Sequence, residues 1–117
     1  MAGVSGLKGS FPLTEDEIKK HIKYKVPGVF TLGTVNDDGK YQTLYVGSAH
    51  RDLAETLKKC LRQTPRFKFQ LFDSAEDAFN KECELYHLFR LAANKVHPPV
   101  PPLEAWRCPE CGFPKKR

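Results

Sequence analysis

The sequence predicts a small α/β (α+β) domain: a three-stranded antiparallel sheet flanked by helices, with a short metal-binding C-terminal tail. Three observations predict it. A β-branched run from Val29 to Val35 is joined through Asn36-Asp37-Asp38-Gly39 to a second run from Tyr41 to Val46, a hairpin pattern around a turn signal. Phe67, Phe69 and Leu71 alternate with Lys68 and Gln70, the pattern of a third strand. Between and around these runs, apolar residues recur at helical spacing behind good N-caps.

In chain order, residues 1–13 read as a loose lead-in. Thr14-Glu15-Asp16-Glu17 is a capping box, in which Thr14 caps the helix and Glu17 reaches back to the Thr14 amide. That helix runs to about Tyr24, and Pro27 prevents its continuation. After the hairpin, Asp52 is the N-cap of a helix over 53–62, with Leu53, Leu57, Cys60 and Leu61 on one face. Ser74, with Asp77 three residues on, starts the last helix, about 75–93. Its apolar stripe is Ala78, Leu85, Phe89 and Ala92, and Glu82 falls in the middle of it. A carboxylate on an apolar face is costly unless it is paired, hydrogen-bonded or bound to a cation. The predicted organisation is a lead-in and helix over 1–26, the main domain over 27–96, and a Pro-rich linker with a cysteine tail over 97–117.

A chain of 117 residues, 40% hydrophobic and 28% charged, builds one modest core. No apolar run approaches the ~20 residues that span a bilayer. The first residues lack the basic-then-apolar pattern of a secretory signal. The cytoplasm is therefore the expected compartment, and no membrane partner is expected. The net charge of +5 favours anionic partners such as nucleic acid. Lys58, Lys59, Arg62, Arg66 and Lys68 are the candidate nucleic-acid contacts, and the chain ends Lys115-Lys116-Arg117. A solvated basic face is the plainer reading of both groups.

Cys60, Cys83, Cys108 and Cys111 do not read as a disulfide framework in such a chain. Cys108-Pro109-Glu110-Cys111-Gly112 reads as half of a structural zinc knuckle, whose tight turn brings two thiolates to one metal. Cys83 and His87 lie four residues apart on the last helix and complete a Cys3His site. His97 is the runner-up ligand, and a site shared by two chains in a homodimer is a further option. Without metal, Cys83 is a small buried hydrophobe. Trp106, Arg107 and Phe113 beside the knuckle mix aromatic and basic groups, which suits nucleic acid or a protein partner.

The order of these elements resembles the GIY-YIG nuclease superfamily. Gly28-Val29-Phe30 stands where that family has its first triplet, and Tyr45-Val46-Gly47 where it has its second. The segments from Gly47 to Leu53 and from Phe69 to Ala78 resemble the loop into its first core helix and its third strand with the start of the next helix. Glu82 falls at the family's metal-binding glutamate, and Asn94 where many members carry an asparagine. The resemblance covers roughly 27–94. It implies cleavage of DNA phosphodiesters with one divalent cation, Mg or Mn, held by Glu82. The cation acts as Lewis acid while a basic side chain balances the transition state.

Two positions depart from the pattern. Phe30 replaces a tyrosine that helps activate the attacking water. The position of the transition-state arginine falls near Glu55-Thr56. The implied function is a nucleic-acid-associated domain with weakened or lost endonuclease activity. One alternative is an active endonuclease that uses Tyr45, Glu82 and Asn94 with His50 or Arg51 in altered roles. The other is a non-enzymatic module that holds a protein partner. Outside the resemblance, Tyr45 reads as a strand aromatic, Glu82 as a structural ion pair, Asn94 as a helix C-cap and His50 as a loop histidine.

Overall fold

The computed structural model describes residues 6–91, 94, 97, 98, 100, 104 and 106–113. Its elements are β1 (Lys8–Pro12), α1 (Glu15–His21), β2 (Gly28–Val35), β3 (Tyr41–Ala49), α2 (Leu53–Lys58), β4 (Arg66–Leu71) and α3 (Ala75–Phe89). The sheet is antiparallel, in the order β1-β4-β2-β3.

The expected three strands are present, but the sheet has four. Lys8–Pro12, expected as a loose lead-in, pairs with β4. A five-residue strand containing Gly9 and Pro12 shows little alternation, so local pattern does not mark it. Its partner does: the Arg66 Nε donates to Ser10 Oγ at 2.7 Å, and a second guanidinium nitrogen donates to the Ser10 carbonyl at 2.8 Å. Strand β4 would otherwise present an open edge.

The hairpin forms as the turn chemistry dictates. The Asn36 side-chain oxygen accepts from the Asp38 and Lys40 amides at 2.9 and 3.0 Å. Gly39 adopts φ +79°, which glycine enters without steric cost. The strands then pair from Val35–Tyr41 to Gly28–Ala49, with an irregularity between Leu32 and Gly33.

All three predicted N-caps are in place: Thr14, Asp52 and Ser74 accept from the amides of Glu17, Glu55 and Asp77. The capping box is only half formed. The Glu17 carboxylate accepts from His21 at 3.2 Å, and the Thr14 amide donates to the Pro12 carbonyl instead. Each helix is shorter than its apolar pattern. After Lys58 the amides of Lys59 and Cys60 bond three residues back, and Arg62 takes a left-handed φ of 71°. Helix α3 stops at Phe89 because Arg90 is left-handed at φ 49°, with its amide on the Tyr86 carbonyl.

The sheet is covered on both faces. Phe30, Leu32, Phe67 and Phe69 pack with Ile18 and Ile22 of the α1 region and with Leu53 and Leu57 of α2. On the other face Val29 and Val46 pack with Leu85 of α3. Burial of each such large side chain contributes about 1.5–3 kcal/mol. Helix α3 also buries a second stripe, Phe79 and Cys83, against Cys108, Trp106 and Phe113 of the tail. Among the described residues no helix is long and apolar enough to cross a membrane.

Candidate functional site

Two clusters of chemically capable side chains lie on different faces of α3. The first is a cleft of about 440 Å³ at the free edge of β3. Tyr45 and Ser48 reach it from β3, His50 from the loop after it, Lys59 from the end of α2 and Glu82 from α3, with Phe30 forming part of the wall. Gly47 is required here by close approach: a Cβ at that position would stand 2.5 Å from the Phe30 ring.

Glu82 is buried, at 9% exposure. Ser48 Oγ donates to its Oε1 at 2.5 Å. Burial pushes its carboxyl up to about 7, and the Ser48 hydrogen bond opposes that rise. The structural ion pair is not formed, since no cation pairs with Glu82 among the described residues. Burial also raises the Tyr45 hydroxyl above its ordinary value, with the Glu82 charge adding to the effect. A neutral phenol is therefore the form that faces the cleft. Burial lowers the His50 imidazole, with Glu104 acting in the opposite sense.

Tyr45, His50 and Glu82 thus converge, but Arg51 and Asn94 lie elsewhere. Arg51 lines a neighbouring depression with Asp52 and Glu55. Asn94 is a clamp: its Oδ1 accepts from the Val46 amide at 2.9 Å and its Nδ2 donates to the Val46 carbonyl at 2.8 Å. It stands where a further strand would pair with the edge of β3. The five basic residues also divide. Lys59 and Arg62 are exposed near the end of α2. Arg66 is committed to Ser10, and the Lys68 ammonium sits 4.7 Å from the centre of the Tyr41 ring. Lys58 is half-buried in α2. Lys115, Lys116 and Arg117, like Ala92, lie outside the described residues.

Sequence reasoning missed Ser48 as a partner of Glu82. The signal was available in the pleat: Ser48 shares a face with Val46, and that face meets α3. Of the five basic candidates, Lys59 is the one that lines the cleft.

The second cluster is His87, His97, Cys108 and Cys111, whose ligand atoms all lie within 4.8 Å of one another and could hold a metal ion. The knuckle carries a metal-turn geometry. The Gly112 amide donates to the Cys108 carbonyl at 2.9 Å, the Cys108 amide to the Phe113 carbonyl at 2.8 Å, and the Glu110 amide to Cys108 Sγ at 3.4 Å. Gly112 holds φ +76°, open to glycine. His87 comes from α3 as expected, but the fourth member is His97, the runner-up, in place of Cys83. The Cys83 side chain is fully buried with Phe79 and touches Cys108 from the core side. Burial and the neighbouring Cys108 raise its thiol far above the ordinary value.

Comparison of the chain with protein-family models, with curated proteins and with solved structures finds no match.

Proposed function

We propose that this chain is a nucleic-acid-associated domain of GIY-YIG-like kind, whose β3–α3 cleft seats a phosphodiester beside a divalent cation on Glu82, with zinc in the cysteine–histidine tail. One observation carries the reading. Glu82 occupies an apolar helix face, has a hydroxyl partner and, among the described residues, no cationic one, and opens into a cleft that Tyr45, His50 and Lys59 share. A hard cation such as Mg or Mn is the natural partner of such a carboxylate. Binding must displace the carboxyl proton, so the cation binds more tightly above pH 7 than below it. Lys59 offers a positive charge to the phosphate, and the Tyr45 and Ser48 hydroxyls offer hydrogen bonds.

The same cleft supports slow chemistry at best. Phe30 puts a phenyl wall where a hydroxyl would assist proton transfer. The cation is a lysine beyond the end of α2, and loss of one positioned charge commonly costs 10²–10³ in rate, to order of magnitude, about 3–4 kcal/mol.

The test is fluorescence anisotropy with branched, nicked and single-stranded DNA over a range of salt, with Mg²⁺ or EDTA, alongside cleavage assays. The expected result is salt-sensitive binding that tightens with Mg²⁺, with that tightening lost in Glu82→Gln. Absence of binding at low salt overturns the reading in favour of a protein-interaction module. Fast cleavage abolished by Glu82→Gln overturns the weakened-activity part and establishes an endonuclease.

A further inference from the structure

We infer that His87, His97, Cys108 and Cys111 coordinate one zinc ion tetrahedrally, and that this ion clasps the tail to α3 and thereby seats Trp106 between Phe79 and His50. The inference shares the zinc reading of the tail with the function proposed above but is independent of what the cleft binds.

Two of the donor separations match a coordination shell, and all four donors lie within 4.8 Å of one another. Zinc bonds of about 2.0–2.1 Å to nitrogen and 2.3 Å to sulfur, at tetrahedral angles, separate two nitrogens by about 3.4 Å and a nitrogen from a sulfur by about 3.6 Å. The Nε2 atoms of His87 and His97 are 3.4 Å apart, and Cys111 Sγ is 3.5 Å from His97 Nε2. Two thiolates with two imidazoles favour zinc over hard cations, which prefer oxygen.

The surroundings prepare the donors. His97 Nδ1 lies 2.9 Å from the Pro98 carbonyl, which can only accept, so Nδ1 carries the proton and Nε2 offers its lone pair to the cluster. The Glu110 amide donates toward Cys108 Sγ at 3.4 Å, which holds the sulfur in place at the turn. The His97 ring stacks on Phe113 with centroids 4.2 Å apart, and Tyr86 packs edgewise on both histidines. Cys83 stands behind Cys108 as packing.

The ion has a mechanical consequence. The described tail rests on α3 through one small apolar cluster, Cys108, Trp106 and Phe113 on Phe79 and Cys83, and coordination adds a second hold to it. Trp106 lies two residues before Cys108. Its ring is 5.6 Å from Phe79 and meets His50 edge-on at 5.5 Å. Loading the site therefore fixes an aromatic wall beside a residue of the cleft.

Trp106 is the chain's single tryptophan, so its emission reports the clasp directly. The experiment measures zinc content, zinc-edge X-ray absorption and tryptophan emission of the full chain before and after chelation. The expected results are one zinc per chain, a shell of two sulfurs and two nitrogens, and a red shift of Trp106 emission on zinc removal. His87→Ala and His97→Ala should each weaken zinc binding by at least about tenfold, while Cys83→Ala leaves the stoichiometry unchanged. A folded protein that binds no zinc, or a three-sulfur shell, overturns the ligand set. Unchanged Trp106 emission on chelation overturns the clasp. A chain with this zinc shell that binds no DNA overturns the nucleic-acid reading and leaves the clasp standing.

Discussion

The two clusters on α3 are built in opposite ways. The cleft takes its groups from β2, β3, α2 and α3, all held by cores on the two faces of the sheet. Its lining is held by packing alone, and it supplies one carboxylate. The tail site takes His87 from the helix and three donors from a segment that rests on α3 through one small apolar cluster. It supplies a four-donor set that could hold a metal ion. A pre-formed site needs a ligand for function, whereas a complete donor set on a thin segment needs one for structure.

The largest expected effect tests whether the two regions share a foundation. Phe79 is fully buried, continues the core and carries Trp106. Phe79→Ala should lower stability by about 3–5 kcal/mol in urea unfolding of the zinc-loaded chain, and should shift Trp106 emission as well. A stability loss without the emission shift would separate the tail from the core.

Glu82→Gln is expected to reveal the strain of the cleft. The folded-state pKa is raised to about 7 from 4.5, so the protonated form stabilises the fold. That contribution is fully present below pH 4.5 and is lost as pH rises through 7. Without divalent metal, the variant should match the parent near pH 4.5. Above pH 8 it should gain stability, approaching about 3 kcal/mol at the limit. Tyr45, His50, Lys59 and Cys60 face the same cleft, and the Tyr45 phenol is coupled to the Glu82 charge, so the two curves are compared below the range in which that phenol ionises. Parallel stability curves for the two proteins would refute the burial argument.

The smallest effect belongs to Asn94. Asn94→Ala removes both bonds to Val46 and should cost about 1–3 kcal/mol. It should also speed amide exchange at Val46 while the zinc stoichiometry stays unchanged. An equal loss of zinc would show that the β3 edge and the tail are one unit.

The hairpin, the three caps and the Glu82 anomaly were legible in sequence because each rests on residues within a few positions of one another. Asn36 bonds its own turn, and Thr14, Asp52 and Ser74 cap amides three residues away. Glu82 announced itself because a charge interrupts an apolar period. The knuckle was legible for the same local reason. Strand β1 was not, since its pairing is decided by Arg66 and the open edge of β4 across more than fifty positions of chain.

The choice between Cys83 and His97 shows the limit most clearly. Helical spacing offers Cys83 and His87 on adjoining turns, and either reading satisfies a four-ligand count. Only the packed structure turns Cys83 into the core beside Phe79 and brings His97 back with its Nδ1 on a carbonyl. The sequence by itself determined which residues carry chemistry, through type and short spacing. Tertiary structure decided which of them meet, because long-range contacts are selected by whole-face packing and burial, and no local period encodes those.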